Sequence, residues 1–385
     1  MADLESFRRE VRDFLADNLP DELRVGNRPD LPEEPLRKWT AALAERGWFT
    51  PEWPVEYGGG GLDREQTAVL RGELRAVRAP VESPAGVRLL GATLLEFGTE
   101  EQKRQHLPGV ARNAVRWCQG FSEPGSGSDL ASLQCRADLD GDEYVINGSK
   151  IWTSGADEAD WIFCLVRTDF DAPKHRGISL ILFEMDQPGI EVTPLELIDG
   201  TAHFCQVFFD DARARADQIV GPLHGGWTVA KRLLQHERTT DSATHGDIVG
   251  ESKETIVELV KREVGMNNGV LADAVLRERL AAHEIDTRAL DLTMQRAVEE
   301  VSAGHRGRDI GSVGKFRWAD MMKAEHDLAM DAAGSGGLGW EGPGFEPAQL
   351  ERTREWLFSR AHSIWGGTDE IQKNTIAKRV LGLPE

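Results

Sequence analysis

The sequence predicts an α+β protein whose two kinds of element are segregated along the chain: a helical N-terminal region, a β region in the middle and a helical C-terminal region. Three observations carry this. Apolar residues recur at helical spacing up to about Val115 and again after Gly225. Between Trp117 and Gly221 they fall instead into short runs bounded by turn residues. Strands and helices do not alternate and no GxGxxG follows a strand, which argues against a doubly wound dinucleotide fold.

In the first region Phe7, Val11, Phe14 and Leu15, then Leu36, Trp39, Leu43 and Trp48, mark two helices by their spacing of three and four. Pro51, Pro54 and Gly58–Gly61 break that pattern into a loop. Three further helices are predicted over TAVLRGELRAV, VRLLGATLLEFG and EEQKRQHLPGVARN. The middle region holds the runs Trp161–Val166, Ile178–Phe183 and Phe204–Phe209, separated by turn clusters such as Asp140-Gly141-Asp142 and Asn147-Gly148. After GPLHGGW the helical period returns and runs to the end, interrupted at Gly334–Gly344. The domain boundaries expected from these changes are 1–115, 116–225 and 226–385.

Among 385 residues, 65 Asp and Glu against 45 Lys and Arg give a formal charge of −20, which argues against nucleic acid or an anionic membrane as the main partner. No run approaches a membrane span and the opening residues lack a signal-peptide core, so a cytoplasmic protein is expected. Cys118, Cys135, Cys164 and Cys205 are scattered, without metal-ligand spacing, and are expected to be reduced and buried. The chain has 11 Trp but 2 Tyr; large apolar rings are mostly core, although Trp also lines flat ligand sites.

Three segments offer chemistry. QGFSEPGSGSDL (Gln119–Leu130) exposes amides and hydroxyls with little side-chain obstruction, as a phosphate or a heterocyclic carbonyl requires, and also suits a plain Gly/Ser turn. IWTSGADEADW sets Trp152 beside Thr153 and Ser154, a flat wall flanked by hydroxyls or else a core tryptophan. WGGTDEIQKNT leads through Gly366 and Gly367 into a helix that Thr368 caps, with Glu370 in its first turn.

Taken together and in order, YGGGGL, FSEPGSGSDL, NGSKIWTSGADEADW, VGPLHGGW and IWGGTDEIQKNTIAKRVLG resemble the acyl-CoA dehydrogenase family of flavoproteins, over nearly the whole chain. The resemblance implies a helical N-terminal domain, a central β-barrel and a C-terminal four-helix bundle, assembled as a tetramer or dimer, or as a mixed oligomer with a related subunit. It implies FAD as cofactor, with Gln119, Phe121, Ser122, Gly127, Ser128, Trp152, Ser154, Thr368 and Glu370 as its contacts. Ser128, Arg238 and Gly366 would meet an acyl-CoA or carrier-bound thioester, and an electron-transfer flavoprotein would receive the electrons.

The family reaction removes a proton beside the thioester carbonyl and delivers a β-hydrogen as hydride to the flavin, which requires one carboxylate base. Many members carry Glu where this chain has Gly366, which has no side chain to accept a proton. A second family location for the base falls on Glu237, in LLQHER. Trp227, Ala230, Leu234 and Glu237 share one helical face, so a carboxylate there would be partly desolvated and its pKa raised toward that of a base; a structural ion pair is the other role open to it. Arg238 would orient and polarise. VKREVGMNN around Glu263 departs from the family's cofactor-contacting pattern. The expected activity is α,β-dehydrogenation of an acyl-CoA. A carrier-tethered acyl or aminoacyl substrate, flavin monooxygenation and a non-catalytic subunit of a mixed tetramer stand as alternatives.

Overall fold

The computed structural model describes residues 2–26, 31–81, 84–235, 254–302 and 310–384. The chain forms two compact units: Met1–Leu195 with Ala202–Ser252, and Glu196–Thr201 with Lys253–Glu385.

The first unit opens with helices α1 (Ala2–Asn18), α2 (Glu33–Glu45) and α3 (Arg64–Ala76). Their apolar stripes close on one core: Phe7, Val11, Leu15, Leu43 and Leu70 pack with Trp39 and Trp48, and the half-buried Phe14 meets the Trp48 ring edge-on at 4.9 Å. Asp63 and Thr99 each begin a helix with a reciprocal capping box, which satisfies amide donors of the first turn. The segment expected as one helix over VRLLGATLLEFG is divided: Gly86–Gly91 is π-helical and α4 (Ala92–Phe97) follows. The cause lies far off in sequence. The Trp53 ring sits so close over Gly91 that a Cβ there would lie 1.9 Å from it, and the wider π turn accommodates such insertions. Helix α5 (Glu100–Ala111) then leads into the sheet.

Eight strands follow: β1 (Trp117–Gly120), β2 (Arg136–Asp140), β3 (Glu143–Ser154), β4 (Trp161–Arg167), β5 (Ile178–Glu184), β6 (Ile190–Leu195), β7 (Phe204–Arg215) and β8 (Ile219–Val220). Their order is β6-β7-β3-β2-β4-β5-β8, with β1 parallel to β4. The two halves join through a single β2–β4 pair, Arg136 with Arg167, and enclose a core that includes Ile146, Ile162, Val166, Ile181, Phe183 and Val207. The three runs read as strands are β4, β5 and the first half of β7. β4 and β5 are buried almost throughout, which is why they read as unbroken apolar runs.

Helix α6 spans residues 226–235. Gly226 begins it because a Cβ at that position would lie 2.5 Å from the Ser179 carbonyl carbon in β5. Val229, Ala230 and Leu233 are buried and Trp227 and Leu234 half-buried, the apolar face the spacing predicts.

The second unit contains α7 (Ile256–Val264), a short hairpin of β9 (Met266–Asn267) and β10 (Val270–Leu271), and helices α8 (Ala274–Ser302), α9 (Ile310–Ala333), α10 (Pro347–Ser359) and α11 (Asp369–Thr375). Ile256, Val260, Leu271, Leu276 and Leu328 form its apolar cluster. Among the described residues no helix is long and apolar enough to cross a membrane.

Candidate functional site

The Gly/Ser segment is held against the inner face of β3. From β1 the chain passes through Gln119, half-buried, and Phe121, buried against Phe163, to Ser122, whose carbonyl accepts the Ile151 N–H at 2.9 Å. Glu123 and Ser126 then exchange both backbone hydrogen bonds, at 3.1 and 2.9 Å, closing a tight turn whose tip is Pro124-Gly125. Beyond it Gly127 and Ser128 are exposed. A Cβ at Gly125 or Gly127 would meet nothing within 4 Å, so the turn presents its backbone to open space. A cleft of about 490 Å³ runs along this turn, lined by Pro124, Gly125, Gln134, Ser149 and Phe208 among others. A larger cavity of about 710 Å³ between α1 and α2 is lined by exposed charged residues such as Arg9, Glu10, Asp13 and Arg46 and offers no comparable donor set.

Trp152 is the most unusual residue in this region. Between Lys150–Val207 and Thr153–Cys205 the β3–β7 ladder advances three residues on β3 and two on β7, a bulge that contains Ile151 and Trp152. Trp152 takes φ +63°, a left-handed conformation that costs a bulky residue energy, and the residue is 55% exposed, its ring met edge-on by Phe204 at 6.0 Å. A strained backbone that exposes an aromatic ring serves no core. Ser154 follows, exposed at the end of the strand. Among the described residues the side chains of Ser122, Ser128 and Ser154 meet no protein hydrogen-bond partner.

The sequence reading missed Lys150. Up to the bulge the buried positions of β3 are even-numbered, Tyr144 and Ile146 among them, and Lys150 has the same parity. A lysine on an inward position was the available signal. Its side chain is fully buried.

Helix α6 is aimed by a polar joint. Thr168 Oγ1 bonds Ser179 Oγ and His224 Nδ1, each at 2.8 Å, while the His224 N–H donates to Ser179 Oγ at 2.9 Å. Glu237 and Arg238, the expected base and its neighbour, fall after residue 235, outside the described residues.

In the second unit Gly366 and Gly367 take φ +60° and +90°, and the Gln372 side-chain amide donates to the Gly366 carbonyl at 2.8 Å. Thr368 caps α11 by accepting the Ile371 N–H at 3.3 Å. Hydrogen bonds from its own backbone N–H and from Thr368 hold the exposed Glu370 carboxyl below the usual carboxylate range. A Cβ at Gly366 would meet only Lys315 Cε, at 4.0 Å, so room for a side chain exists where the sequence supplies none. Burial pulls the Lys315 ammonium below its ordinary value, opposed by Asp369 at 3.6 Å. Thus Phe121, Ser122 and Trp152 are brought together in the first unit through β3, and Gly366, Thr368 and Glu370 in the second.

Comparison with known proteins places the chain in a family. The N-terminal, middle and C-terminal domain models of acyl-CoA dehydrogenase match residues 1–114, 118–212 and 224–381. The chain is 40% identical, over its full length and 99% of the relative, to acyl-CoA dehydrogenase IpdE1 of Mycobacterium tuberculosis H37Rv. Among solved structures it resembles the Tcur3481-Tcur3483 steroid ACAD, at 31% identity and a TM-score of 0.76 over all of this chain and 98% of that one. It also resembles the ChsE4-ChsE5 complex from M. tuberculosis, at 27% identity and a TM-score of 0.74, again over all of this chain and 98% of that one. FAD suits what the first unit offers: an open Gly/Ser turn with free hydroxyls, beside an exposed flat ring held out by a bulge. The chain belongs to the acyl-CoA dehydrogenase family, as an FAD-dependent enzyme that dehydrogenates acyl-CoA thioesters.

Proposed function

We propose that this chain oxidises the α,β carbons of a CoA thioester carrying a bulky, ring-containing acyl group, as one subunit of a mixed oligomer, with Glu237 as the base. The observation that carries the reading is Trp152, exposed at φ +63° on a bulge beside the Phe121–Ser128 turn. A planar ring system stacked there would justify the strain. Phe121, Ser122, Gly127, Ser128 and Ser154, with Gln119 from β1, would offer amides and hydroxyls to FAD, and Thr368 and Glu370 would supply a second polar group. The family's three domains, divided near residues 115 and 225, belong to the same reading.

Bound FAD supplies the hydride acceptor. The protein must remove the α-proton, and Glu237 is the candidate because Gly366 offers no carboxylate at the other family position. Glu237 stands four residues after Leu233 and seven after Ala230, both buried, so its place in the sequence continues the inward face of α6. Desolvation on that face would raise its pKa toward a working base, and Arg238, permanently charged, would orient the thioester together with Ser128. A bulky acyl group is supported by the likeness to a steroid ACAD and by the open position above Gly366. A mixed oligomer is supported by the likeness to two structures whose names join two gene products. An electron-transfer flavoprotein is the proposed acceptor.

The test is an anaerobic titration of the yellow protein, purified alone and with a co-expressed second subunit, against straight-chain, dicarboxylic and polycyclic CoA thioesters. A productive thioester bleaches the flavin absorbance. Glu237→Gln is expected to abolish bleaching while thioester binding persists; full bleaching by that variant refutes Glu237 as the base.

A further inference from the structure

Lys150 carries the strongest unassigned feature of the first unit. Its Nζ donates to Glu123 Oε1 at 2.8 Å and to the Phe121 carbonyl at 3.1 Å. Glu123, itself 8% exposed, also accepts the Cys135 N–H at 2.8 Å on Oε1 and the Gln134 N–H at 2.6 Å on Oε2. One ion pair thus ties β3 to the start of the Gly/Ser segment and, through Glu123, to the residues that follow that segment. Burying an ammonium and a carboxylate is expensive, and an apolar pair of similar volume often holds a core equally well. Stability alone therefore does not explain the choice.

The direction of one peptide group does. In a trans peptide the carbonyl oxygen and the following N–H point opposite ways. With the Phe121 oxygen drawn inward to Lys150, the Ser122 N–H of the same peptide is turned outward, and among the described residues it meets no protein acceptor. A charge on the oxygen side polarises that peptide and strengthens its N–H as a donor. We infer that the buried Lys150–Glu123 pair is a positioning device for the flavin, aiming and polarising the Phe121–Ser122 peptide so that the Ser122 N–H holds the electron-accepting edge of FAD. The inference rests on the reading that Phe121–Ser128 and Trp152 hold the cofactor.

The experiment compares FAD affinity and flavin midpoint potential in the wild-type assembly, Lys150→Met and Lys150→Gln. Leu43→Ala, in the distant N-terminal core, serves as a destabilised control. Loss of a charge-assisted hydrogen bond predicts about tenfold weaker FAD binding in Lys150→Met. Its midpoint potential should be more negative, because a weaker donor stabilises the reduced flavin less. Lys150→Gln, which keeps an N–H for the Phe121 carbonyl, is expected to fall between, and Leu43→Ala to lose stability with an unchanged potential. Faster amide exchange across Phe121–Ser128 should accompany the Lys150 variants. FAD uptake with an unchanged potential in both Lys150 variants would overturn this inference alone. A wild-type assembly that takes up no FAD would overturn the cofactor-site reading and the inference with it.

Discussion

Trp152→Asn separates a residue kept for packing from one kept for a ligand. Asn occupies the left-handed region far more readily than Trp, so the substitution relieves about 1–2 kcal/mol of backbone strain at φ +63°. Against this stands the lost burial. With 55% of the residue exposed, the ring buries roughly half of what a core tryptophan does, or about 2 kcal/mol at about 25 cal/mol per Å². The two terms nearly cancel. Apo Trp152→Asn should therefore unfold in urea within about 1 kcal/mol of the wild type, whereas Trp39→Ala should lose about 3–5 kcal/mol. Trp39 is 1% exposed and donates its indole N–H to the Pro80 carbonyl at 2.8 Å. The same Trp152 variant should bind FAD measurably more weakly, read by flavin retained after gel filtration. A loss of 3 kcal/mol in the apo protein, or flavin binding equal to the wild type, would refute the assignment of Trp152 as a cofactor wall.

Two further outcomes follow from the packing. Gly226→Ala places a Cβ 2.5 Å from the β5 backbone and should cost about 1–3 kcal/mol in urea unfolding, while Gly125→Ala, into open space, should change stability by less than about 0.5 kcal/mol. His106 is buried beside Trp117 and Trp161 with Nε2 2.7 Å from Gln218 Oε1, and desolvation holds its pKa below the ordinary value despite that bond. The folded state therefore favours neutral imidazole. Its contribution is fully present above about pH 6.5 and is lost as the pH falls from there through the lower folded value, so the urea midpoint should fall less on acidification in His106→Gln than in the wild type. Equal falls in the two proteins would show that His106 does not govern that pH range.

Much of the fold was legible because local and global preferences agree. β4 and β5 are buried over nearly their whole length, so their composition alone marks them. α1 and α2 present one apolar stripe each to a single core, which is the case helical spacing reports best. The π-helical turn at Gly86–Gly91 was not legible, since its cause is a tryptophan 38 residues earlier in the sequence. β1 was equally obscure: Trp117–Gly120 becomes a strand by parallel pairing with β4, a contact that four residues cannot announce. The candidate residues Phe121, Ser122 and Trp152 stood out in the sequence as motifs. The bulge did not, because its extra residue is visible only against the pairing with β7. Glu237 and Arg238 rest on sequence spacing and resemblance.

The bulge in β3 also makes the site sensitive to chain length. Before it, even-numbered residues face the core; after it Thr153 is buried and Ser154 exposed. One inserted residue has exchanged the two faces of the strand. Deleting either Ile151 or Trp152 would restore simple alternation, with the threonine still inward and the serine still outward, and would remove the extra residue that puts the Trp152 backbone at φ +63°. Such a deletion would leave the sheet's apolar composition nearly intact while removing the bulge that holds an aromatic ring out of it. Variation here is thus tolerated in kind far more readily than in number: a different aromatic at 152 changes the wall, but one residue fewer removes it.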